Sequence, residues 1–373
     1  MKIDSGKCSR TIQVAAAVLL ACSLYAQTAA KVRKDSAVTA FFQREAGLIA
    51  GDGGFSIPVN NGKVLWLMGD SHIDDYDKGS ATVPCLFQVR NTAVAQTKDD
   101  WQWQHALTLT GNYKGIKSYL KDHEADSLFC WPGAGIQLGD FIYVYCASLK
   151  NAGTGAFGFA ASGSDFFAKI PVKDLSQKEY KPLPRFNEIS FGVGFVRRDN
   201  WIYMYGQRYT PSTITCALYV SRFDARKPFE QIQYWDGKNW SANVNNAAPV
   251  ASQQGVSGTF HLSEVKGRLL LLSSELSINC DAGTEIYYAL ADDVAGPFNN
   301  KKLLHAIDDR KDGHKPFFYA AIAHPEYINS HNELLVTYAI NGYGTCVTDC
   351  LNGRMDPDVY RLKGLRVPVD LLK

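Results

Sequence analysis

The sequence repeats one pattern five times, and this repetition limits the possible folds more than any other feature. Each copy is a pair of short apolar strands joined by a tight turn rich in Gly, Asn or Asp. The second strands of the five copies begin at Val64, Phe141, Trp201, Leu269 and Leu334. A third strand is predicted after each pair, and an outer fourth strand after the first four. Five such units predict an all-β chain folded as a five-bladed β-propeller; a two-sheet sandwich would not need five similar units.

The fifth copy differs from the others because no fourth strand follows its third strand. The segment Val38–Gln43, upstream of the first copy, is predicted to take that place and close the ring. The first interval is longer than the rest, which leaves room for an insertion near residues 110–128. These bounds predict a propeller over residues 38–373, preceded by a linker over residues 27–37.

Residues 1–26 have the pattern of a secretory signal peptide rather than of a membrane span. A basic start is followed by an apolar stretch, Val14–Leu20, that is too short to cross a bilayer, and then by small residues. Cleavage after Ala26 is favoured, whereas processing at Cys22 would give a lipoprotein. We therefore predict a secreted or periplasmic protein, with an outer-membrane lipoprotein as the alternative. No later segment is predicted to span the membrane.

The charge of the chain argues against nucleic acid as a partner. The formal net charge is +2, and removal of residues 1–26, which carry three basic side chains and one acidic, brings it to zero. No basic patch is evident that would attract a phosphate backbone or an anionic membrane surface. We expect the chain to act as a monomer.

The cysteines predict a disulfide but no metal site. Seven cysteines follow residue 26, so at least one is unpaired within the chain. Cys346 and Cys350 bracket a short loop and are candidates for a small disulfide in an oxidising compartment, although the sequence leaves the pairing open. Spacings such as CxxC are absent, so no metal site and no cofactor are predicted. The acidic run Asp74, Asp75 and Asp77 fits either a solvated loop or a structural calcium site.

The first copy carries two aspartates placed symmetrically about its turn. Asp52 and Asp70 each lie nine residues from Asn61, so an antiparallel hairpin centred there places them roughly opposite each other. Opposed residues point to the same face, with Cα atoms about 4.5–5.5 Å apart. The two carboxyl groups are therefore candidates for an acid–base or nucleophile pair. The structural alternative is that each aspartate caps a turn beside a glycine.

Corresponding positions in the other copies supply further polar and aromatic side chains. In a propeller, the open ends of the inner hairpins surround the mouth of the central channel. The candidates for substrate binding there are His72, Trp131, Glu188, Arg208, Glu275, His324 and Asn341. Such a ring is typical of a carbohydrate site, where an indole packs on a sugar face and polar groups bind hydroxyls. Structural alternatives remain, such as core packing for Trp131, a turn cap for Glu275 and a buried structural histidine for His324.

A pair of carboxyl groups at a carbohydrate site predicts glycoside hydrolysis. Carboxyl groups about 5–5.5 Å apart suit a retaining double displacement, and wider pairs leave room for water and suit inversion. Opposition across a hairpin favours the closer geometry. Closeness also raises the pKa of one carboxyl group, which keeps that group protonated as the acid.

Several segments resemble one family of secreted propellers. They are GDGGFSIPVNNGKVLWLMGDS in the first copy, the Trp131–Pro132 pair, WIYMYG at 201–206, AGPF at 295–298, and HPE at 324–326 followed by VTYAING. These segments are similar to the five-bladed propellers long catalogued as domains of unknown function, some relatives of which are endo-acting D-arabinanases. The resemblance covers most of residues 45–368.

The resemblance implies that Asp52 and Asp70 are the catalytic pair. At Gly133–Gly135 the sequence lacks an acidic residue that such a relative would be expected to carry after Trp-Pro. A more distant likeness to arabinanase and invertase-like propellers implies an auxiliary or acid role for Glu188.

Together these features predict a secreted glycoside hydrolase that uses Asp52 and Asp70. Its expected substrate is a polysaccharide or oligosaccharide, with arabinofuranose-containing polymers as the first candidates. The alternatives are a non-catalytic glycan-binding propeller and a surface scaffold protein.

Overall fold

The structure is a computed structural model that describes residues 31–111, 117–121, 128–152 and 158–373. The predicted signal peptide, Cys22 and much of the predicted insertion at 110–128 lie outside these residues. Val32–Lys373 form one compact unit. No helix in the described part of the chain is both long and apolar enough to cross a membrane.

Antiparallel strands dominate the described residues, where they form five larger sheets and a small one. Sheet 1 contains Leu48–Val59, Lys63–Ile73, Thr92–Thr97 and Leu107–Leu109. Sheet 2 contains Leu128–Leu138, Phe141–Asn151, Phe166–Pro171 and Glu179–Pro182, with Phe159–Ala161 paired to its second strand. Sheet 3 contains Ser190–Arg198, Trp201–Thr210, Thr215–Asp224, Gln233–Trp235 and Trp240–Ser241, with Ala251–Gln254 paired to its third strand.

The remaining sheets complete the pattern. Sheet 4 contains His261–Val265, Arg268–Ser274, Glu285–Ala291 and Asn299–Ala306. Sheet 5 contains Phe318–His324, Glu333–Ile340, Leu362–Pro368 and, at its outer edge, Arg33–Lys34. The small sheet contains Val83–Pro84, Arg354–Met355 and Cys350–Leu351. The helices that lie between strands are the α-helix Ser36–Phe42 and the 3-10 helices Trp103–His105, Pro211–Thr213, Val244–Asn246, Pro325–Tyr327 and Pro357–Tyr360. The 3-10 helix Val369–Leu371 follows the last strand. The all-β prediction is confirmed.

The five larger sheets follow one another around a ring. The first strand of each sheet contacts the first strand of the next sheet, and the first strand of sheet 5 contacts that of sheet 1. These innermost strands therefore surround a common centre. Each is hydrogen-bonded to the strand that follows it, so every sheet begins with a hairpin whose open end lies beside the centre.

Apolar side chains fill the space between neighbouring sheets. Within the described residues they form five clusters, each drawn mainly from two adjacent sheets. One member from each of the two sheets represents each cluster: Leu65 and Val144, Tyr145 and Met204, Val220 and Leu271, Leu272 and Val336, and Leu335 and Trp66. Consecutive residues of one strand enter opposite clusters because side chains alternate between the two faces of a sheet. The second strands are accordingly almost uniformly apolar, as expected for strands buried on both faces.

The ring closes with a different segment from the one predicted. The prediction of a strand at Val38–Gln43 is wrong, because Ser36–Phe42 is a helix. Asp35 caps this helix by accepting hydrogen bonds from the N–H groups of Ala37 and Val38. The fourth strand of sheet 5 is Arg33–Lys34, which pairs with Leu362–Pro368 and lies within the segment predicted as a linker.

The disulfides also differ from the prediction. Cys346 and Cys350 do not pair with each other; the bonds are Cys85–Cys350 and Cys280–Cys346. Each cysteine of the loop after sheet 5's second strand thus reaches a different loop. The remaining described cysteines, Cys130, Cys146 and Cys216, are buried. Disulfides of this kind are typical of oxidising compartments.

Candidate active site

A cavity of about 890 Å³ opens at the centre of the ring. Its lining includes Asp52, Gly133, Gly192, Phe260 and Tyr319, which lie in or directly beside the five innermost strands. The cavity lies at the open ends of the hairpins, because it is also lined by Asp70, near the end of the second strand of sheet 1, and by Asn341, which follows the second strand of sheet 5. Its size is within the range of sites that hold small molecules or short oligomers.

Asp52 lies in an irregular part of the first hairpin. Pairing is regular from Val59 opposite Lys63 up to Phe55 opposite Leu67, and it shifts on both sides of Gly53. Gly53 and Gly54 adopt φ angles of +82° and +91°, which favour glycine and permit this shift. The half-buried Asp52 therefore departs from the regular ladder at the edge of the cavity.

Two tyrosine hydroxyls bind the Asp52 carboxyl group, and a glycine leaves the space that this group occupies. Tyr319 donates its hydroxyl hydrogen bond to Oδ2, and Tyr360 donates a second one to the same group. Burial raises the pKa of both tyrosines well above the usual value, so their hydroxyls remain donors. A Cβ at Gly69 would lie 2.2 Å from Asp52 Oδ1, so the carboxyl group occupies the space that a side chain there would need.

Asp70 is held by a different set of partners. Its Oδ1 accepts a hydrogen bond of 3.1 Å from Trp131 Nε1. Its Oδ2 lies 3.5 Å from Arg90 Nη1. The Arg90 guanidinium is fixed over the ring of Phe129, 4.2 Å from the centroid. Asp70 itself is only 7% exposed.

The two carboxyl groups share one electrostatic environment. Burial, followed by the charge of Asp52, raises the pKa of Asp70 to about 7, against the opposing effects of Trp131 and Arg90. Burial also raises the pKa of Asp52, and the hydroxyls of Tyr319 and Tyr360 oppose that rise. The two groups therefore do not titrate independently, and each keeps its proton to a higher pH than an ordinary aspartate. One protonated and one ionised carboxyl is the combination needed for acid–base chemistry.

His72 and Asn341 line the same cavity. His72 is buried, and its Nδ1 lies 2.7 Å from Asp75 Oδ2, which fixes the orientation of the ring. Asn341 Nδ2 donates a 3.2 Å hydrogen bond to the hydroxyl of Tyr319. The structure therefore brings together five of the residues predicted from the sequence: Asp52, Asp70, His72, Trp131 and Asn341.

Four other predicted residues do not line the cavity. Glu188 is exposed in the loop before Ser190–Arg198, and Arg208 lies over the ring of Tyr219 at 5.0 Å. Glu275 Oε2 accepts hydrogen bonds from the backbone N–H groups of Thr284 and Glu285 at 2.8 and 3.2 Å. Their surroundings are those of a solvated loop, a cation–π contact and a turn cap, respectively.

His324 lies deeper in the protein than predicted. It is fully buried between sheets 5 and 1, with its ring 4.8 Å from that of Trp66. Its Nδ1 lies 2.5 Å from Ser56 Oγ and its Nε2 lies 2.8 Å from Thr337 Oγ1. Burial lowers its pKa well below the usual value, so it is neutral. His324 thus contacts the core rather than the cavity.

The sequence did not point to three residues that hold the aspartates: Arg90, Tyr319 and Tyr360. Tyr319 stands at the start of the fifth inner strand, the position equivalent to Asp52 in the first, and that equivalence could have revealed it. Arg90 precedes a third strand, and Tyr360 follows a long loop outside the repeat. No sequence pattern distinguishes these two from other loop residues.

The acidic run beside the first hairpin is occupied by protein contacts. Asp74 Oδ1 accepts a hydrogen bond from the backbone of Gly47, Asp75 binds His72, and Asp77 binds Gly79 and Ser80. Among the described residues, the grouping closest to a metal-ligand set is Cys280, Asp281 and Cys346. Both of its thiols are consumed by a disulfide, so they are not thiolate ligands.

Comparison with solved structures identifies proteins of the same fold. A protein from Bacteroides ovatus, described as a candidate hydrolase, aligns with a TM-score of 0.72 and 16% identity over 90% of each chain. At that identity the likeness shows a shared fold and no more. An alpha-L-arabinofuranosidase from Lactobacillus brevis aligns with a TM-score of 0.48 and 9% identity over 86% of this chain and 91% of that one. An exo-beta-1,3-galactanase from Phanerochaete chrysosporium gives a TM-score of 0.48 and 12% identity over 87% and 61%.

Sequence comparison places the chain in a family without assigning an activity. TM-scores below 0.5, as for the arabinofuranosidase and the galactanase, carry no argument about this chain. No curated protein matches the sequence. The model of one family matches residues 35–368, nearly the whole of the described ring. The chain therefore belongs to the family described as Domain of unknown function (DUF5005).

Proposed function

We propose that this protein is a secreted glycoside hydrolase that cuts a polysaccharide or oligosaccharide with Asp52 and Asp70. We further propose that its five larger sheets are the blades of a five-bladed β-propeller, with the site at the mouth of the central channel. Arabinofuranose-containing polymers are the first substrates to test, because of the resemblance to D-arabinanases.

One observation carries the proposal: two carboxyl groups line one large cavity, the charge of Asp52 acts on Asp70, and the pKa of both groups lies above the usual value. Structural carboxyl groups are usually paired with cations or capped by N–H groups, which lowers their pKa. Here the pKa of both groups is raised. A protonated carboxyl can donate its proton to the leaving oxygen, while the ionised one acts as nucleophile or activates water.

The partners of each aspartate fit this chemistry. The hydroxyls of Tyr319 and Tyr360 orient Asp52 and stabilise its ionised form. The indole of Trp131 and the guanidinium of Arg90 do the same for Asp70 once it has given up its proton. Trp131 and Asn341 line the cavity beside the pair, where they can contact a bound sugar. The residues therefore support both protonation states that a catalytic cycle requires.

Release of reducing ends tests the proposal. The protein without residues 1–26 is incubated with a panel of arabinans, galactans and fructans, and new reducing ends are measured. Asp52→Asn and Asp70→Asn should each lower the rate at least 100-fold, because neither amide can transfer the proton or form the new bond. Asp199→Asn, at an exposed turn of sheet 3, is the matched control and should retain full activity.

Three outcomes would contradict the proposal. Equal activity of wild type and both cavity variants would refute the assignment of the aspartates. Binding of a glycan without release of ends would instead support a non-catalytic glycan-binding propeller. A protein that neither binds nor cuts any glycan would fit a scaffold.

The proposed location is the exterior or the periplasm. The two disulfides support it, since such bonds rarely persist in a reducing cytosol. The mass of the mature protein tests the processing: cleavage after Ala26 leaves an unmodified chain, whereas lipid attachment at Cys22 adds the mass of its acyl groups.

A further inference from the structure

The mouth of the cavity is apolar. Leu86 and Ile278 line the cavity, yet they are 72% and 62% exposed, so they lie where it opens to solvent. Leu351 is 68% exposed and directly follows Cys350, which also lines the cavity. Leu86, Ile278 and Leu351 together are called the apolar rim.

Disulfides fix the loops that carry the apolar rim. Leu86 and Leu351 are the next residues after Cys85 and Cys350, whose Cα atoms are 5.6 Å apart across their disulfide. Ile278 lies two residues before Cys280, which is bonded to Cys346 of the same loop that carries Cys350. The rim is therefore held in place before any ligand arrives, which lowers the entropy lost on binding.

The exposure of these side chains is unusual for this protein. Among the described residues six large hydrophobic side chains are exposed, and three of them belong to the apolar rim. The others, Leu107, Ile214 and Leu303, are isolated on outer strands or a turn. Single exposed hydrophobic residues are common, but a group at the mouth of a cavity indicates a binding surface.

Polar groups of the rim loops are already engaged within the protein. Ser277 Oγ accepts a hydrogen bond from the backbone of Phe318. Asp349 accepts one from the backbone N–H of Tyr343 and forms an ion pair with Lys311. These groups offer little to the hydroxyls of a sugar. An apolar group would instead gain from contact with the rim, because it leaves water.

We propose that the ligand of this cavity is an amphiphilic glycoside, with its sugar at Asp52 and Asp70 and an attached alkyl or aryl group against the apolar rim. This inference rests on the proposed function for the position of the sugar. Leu86 and Ile278 of the rim line the same cavity as the two aspartates, so one molecule can contact both.

Paired glycosides that differ only in their apolar group test the inference. Binding of methyl, n-octyl and 4-nitrophenyl α-D-arabinofuranoside to the Asp70→Asn variant is measured by calorimetry, below the micellar concentration of the octyl compound. The octyl or the nitrophenyl glycoside should bind at least tenfold more tightly than the methyl glycoside. Tenfold is the gain expected when about two methylene groups leave water. The octyl and nitrophenyl arms distinguish an alkyl from an aryl group.

Variants of the rim show where the apolar group binds. Leu86→Ser combined with Ile278→Ser should remove most of the preference over methyl, and Leu86→Ser alone should reduce it. Leu107→Ser, at a side chain that is also 62% exposed but lies on the outer strand of sheet 1, is the matched control and should leave the preference intact. Melting temperatures of all variants check that they fold.

The outcomes separate this inference from the proposed function. Equal affinity for the methyl, octyl and nitrophenyl glycosides, or a preference that survives in the double rim variant, would overturn the inference even if the wild type cuts glycans. A rim-dependent preference without any release of reducing ends would support the apolar site and refute the hydrolase.

Discussion

At the scale of single residues, the aspartate pair combines two opposing demands. The tyrosines, the indole and the arginine favour the ionised carboxylates, whereas burial and mutual repulsion favour the protonated acids. Burial and repulsion prevail, so the ionised pair lowers the stability of the folded state at high pH. Sites built for chemistry commonly reduce stability in this way.

Removal of the Asp70 charge should therefore stabilise the fold at high pH. An unfolded aspartate ionises near pH 3.9, and the folded Asp70 at about pH 7, so stability decreases as the pH rises between these values. Asp70→Asn has no carboxyl group to ionise at this position, so its stability does not decrease in this way. We expect its free energy of unfolding to exceed that of the wild type by about 2–4 kcal/mol at pH 8 and to match it more closely at pH 4.

Denaturant titrations at the two pH values measure this difference. The exposed Asp199→Asn should show no such pH-dependent gain. A difference between Asp70→Asn and wild type that is the same at both pH values would show that the charge is not the cause.

The candidate pair could be predicted from the sequence because both aspartates lie in one hairpin, where spacing alone fixes their relationship. Their partners could not: Tyr319 and Tyr360 come from distant parts of the chain that the closed ring brings together, and Arg90 lies in a loop of sheet 1 that no sequence pattern distinguishes. Glu275 and His324, by contrast, were predicted to bind substrate but do not line the cavity. Their positions in the repeat resemble those of the cavity residues, but a turn cap and burial give them other contacts.

At the scale of elements, the second strands were the most predictable. Their observed first residues, Lys63, Phe141, Trp201, Arg268 and Glu333, lie within one residue of the predicted ones. These strands are buried on both faces and are bounded by tight turns, so hydrophobicity and turn residues both mark them. The helix Ser36–Phe42 was missed because its apolar residues, Val38, Phe41 and Phe42, also fit a short strand.

Asp35 joins this helix to sheet 5, and its loss should destabilise the protein. It is 8% exposed, caps the helix through Oδ1, and binds Arg366 Nε through Oδ2 at 2.6 Å. Asp35→Ala would leave Arg366 without its partner and the cap unfilled. We expect a loss of about 3 kcal/mol in the free energy of unfolding.

Thermal or chemical denaturation measures this loss. Asp224→Ala, which removes an exposed ion pair with Arg226, is the comparison and should have a much smaller effect. Similar losses in the two variants would mean that the contacts of Asp35 add nothing beyond those of a surface aspartate.

At the scale of the whole molecule, the ring follows from the repeat and the cross-links do not. Five similar hairpins with apolar second strands predict five interfaces, and the structure has an apolar cluster at each. The disulfides connect loops whose lengths are unrelated to the repeat. Pairing of near neighbours was therefore the wrong prediction for Cys346 and Cys350.

The two disulfides should differ in how much they stabilise the fold. Cys85 and Cys350 are 265 residues apart, whereas Cys280 and Cys346 are 66 apart, so the first bond restricts the unfolded chain more. Replacing both cysteines of the first pair by serine should cost about 1 kcal/mol more than replacing both of the second. Denaturation of the two double variants under oxidising conditions checks this. A larger loss from the shorter loop would show that native contacts, not chain entropy, set the order.

Closure of sheet 5 by residues from both ends of the chain has a consequence for the timing of folding. Arg33 pairs with Arg366, so Arg33–Lys34 cannot find its partner until that distant segment has been synthesised. Contacts this distant in sequence form slowly. Sheets 1 to 4 pair strands that lie near each other in sequence, so they can form before the ring closes. The Cys85–Cys350 disulfide, which spans 265 residues, depends in the same way on a late segment of the chain.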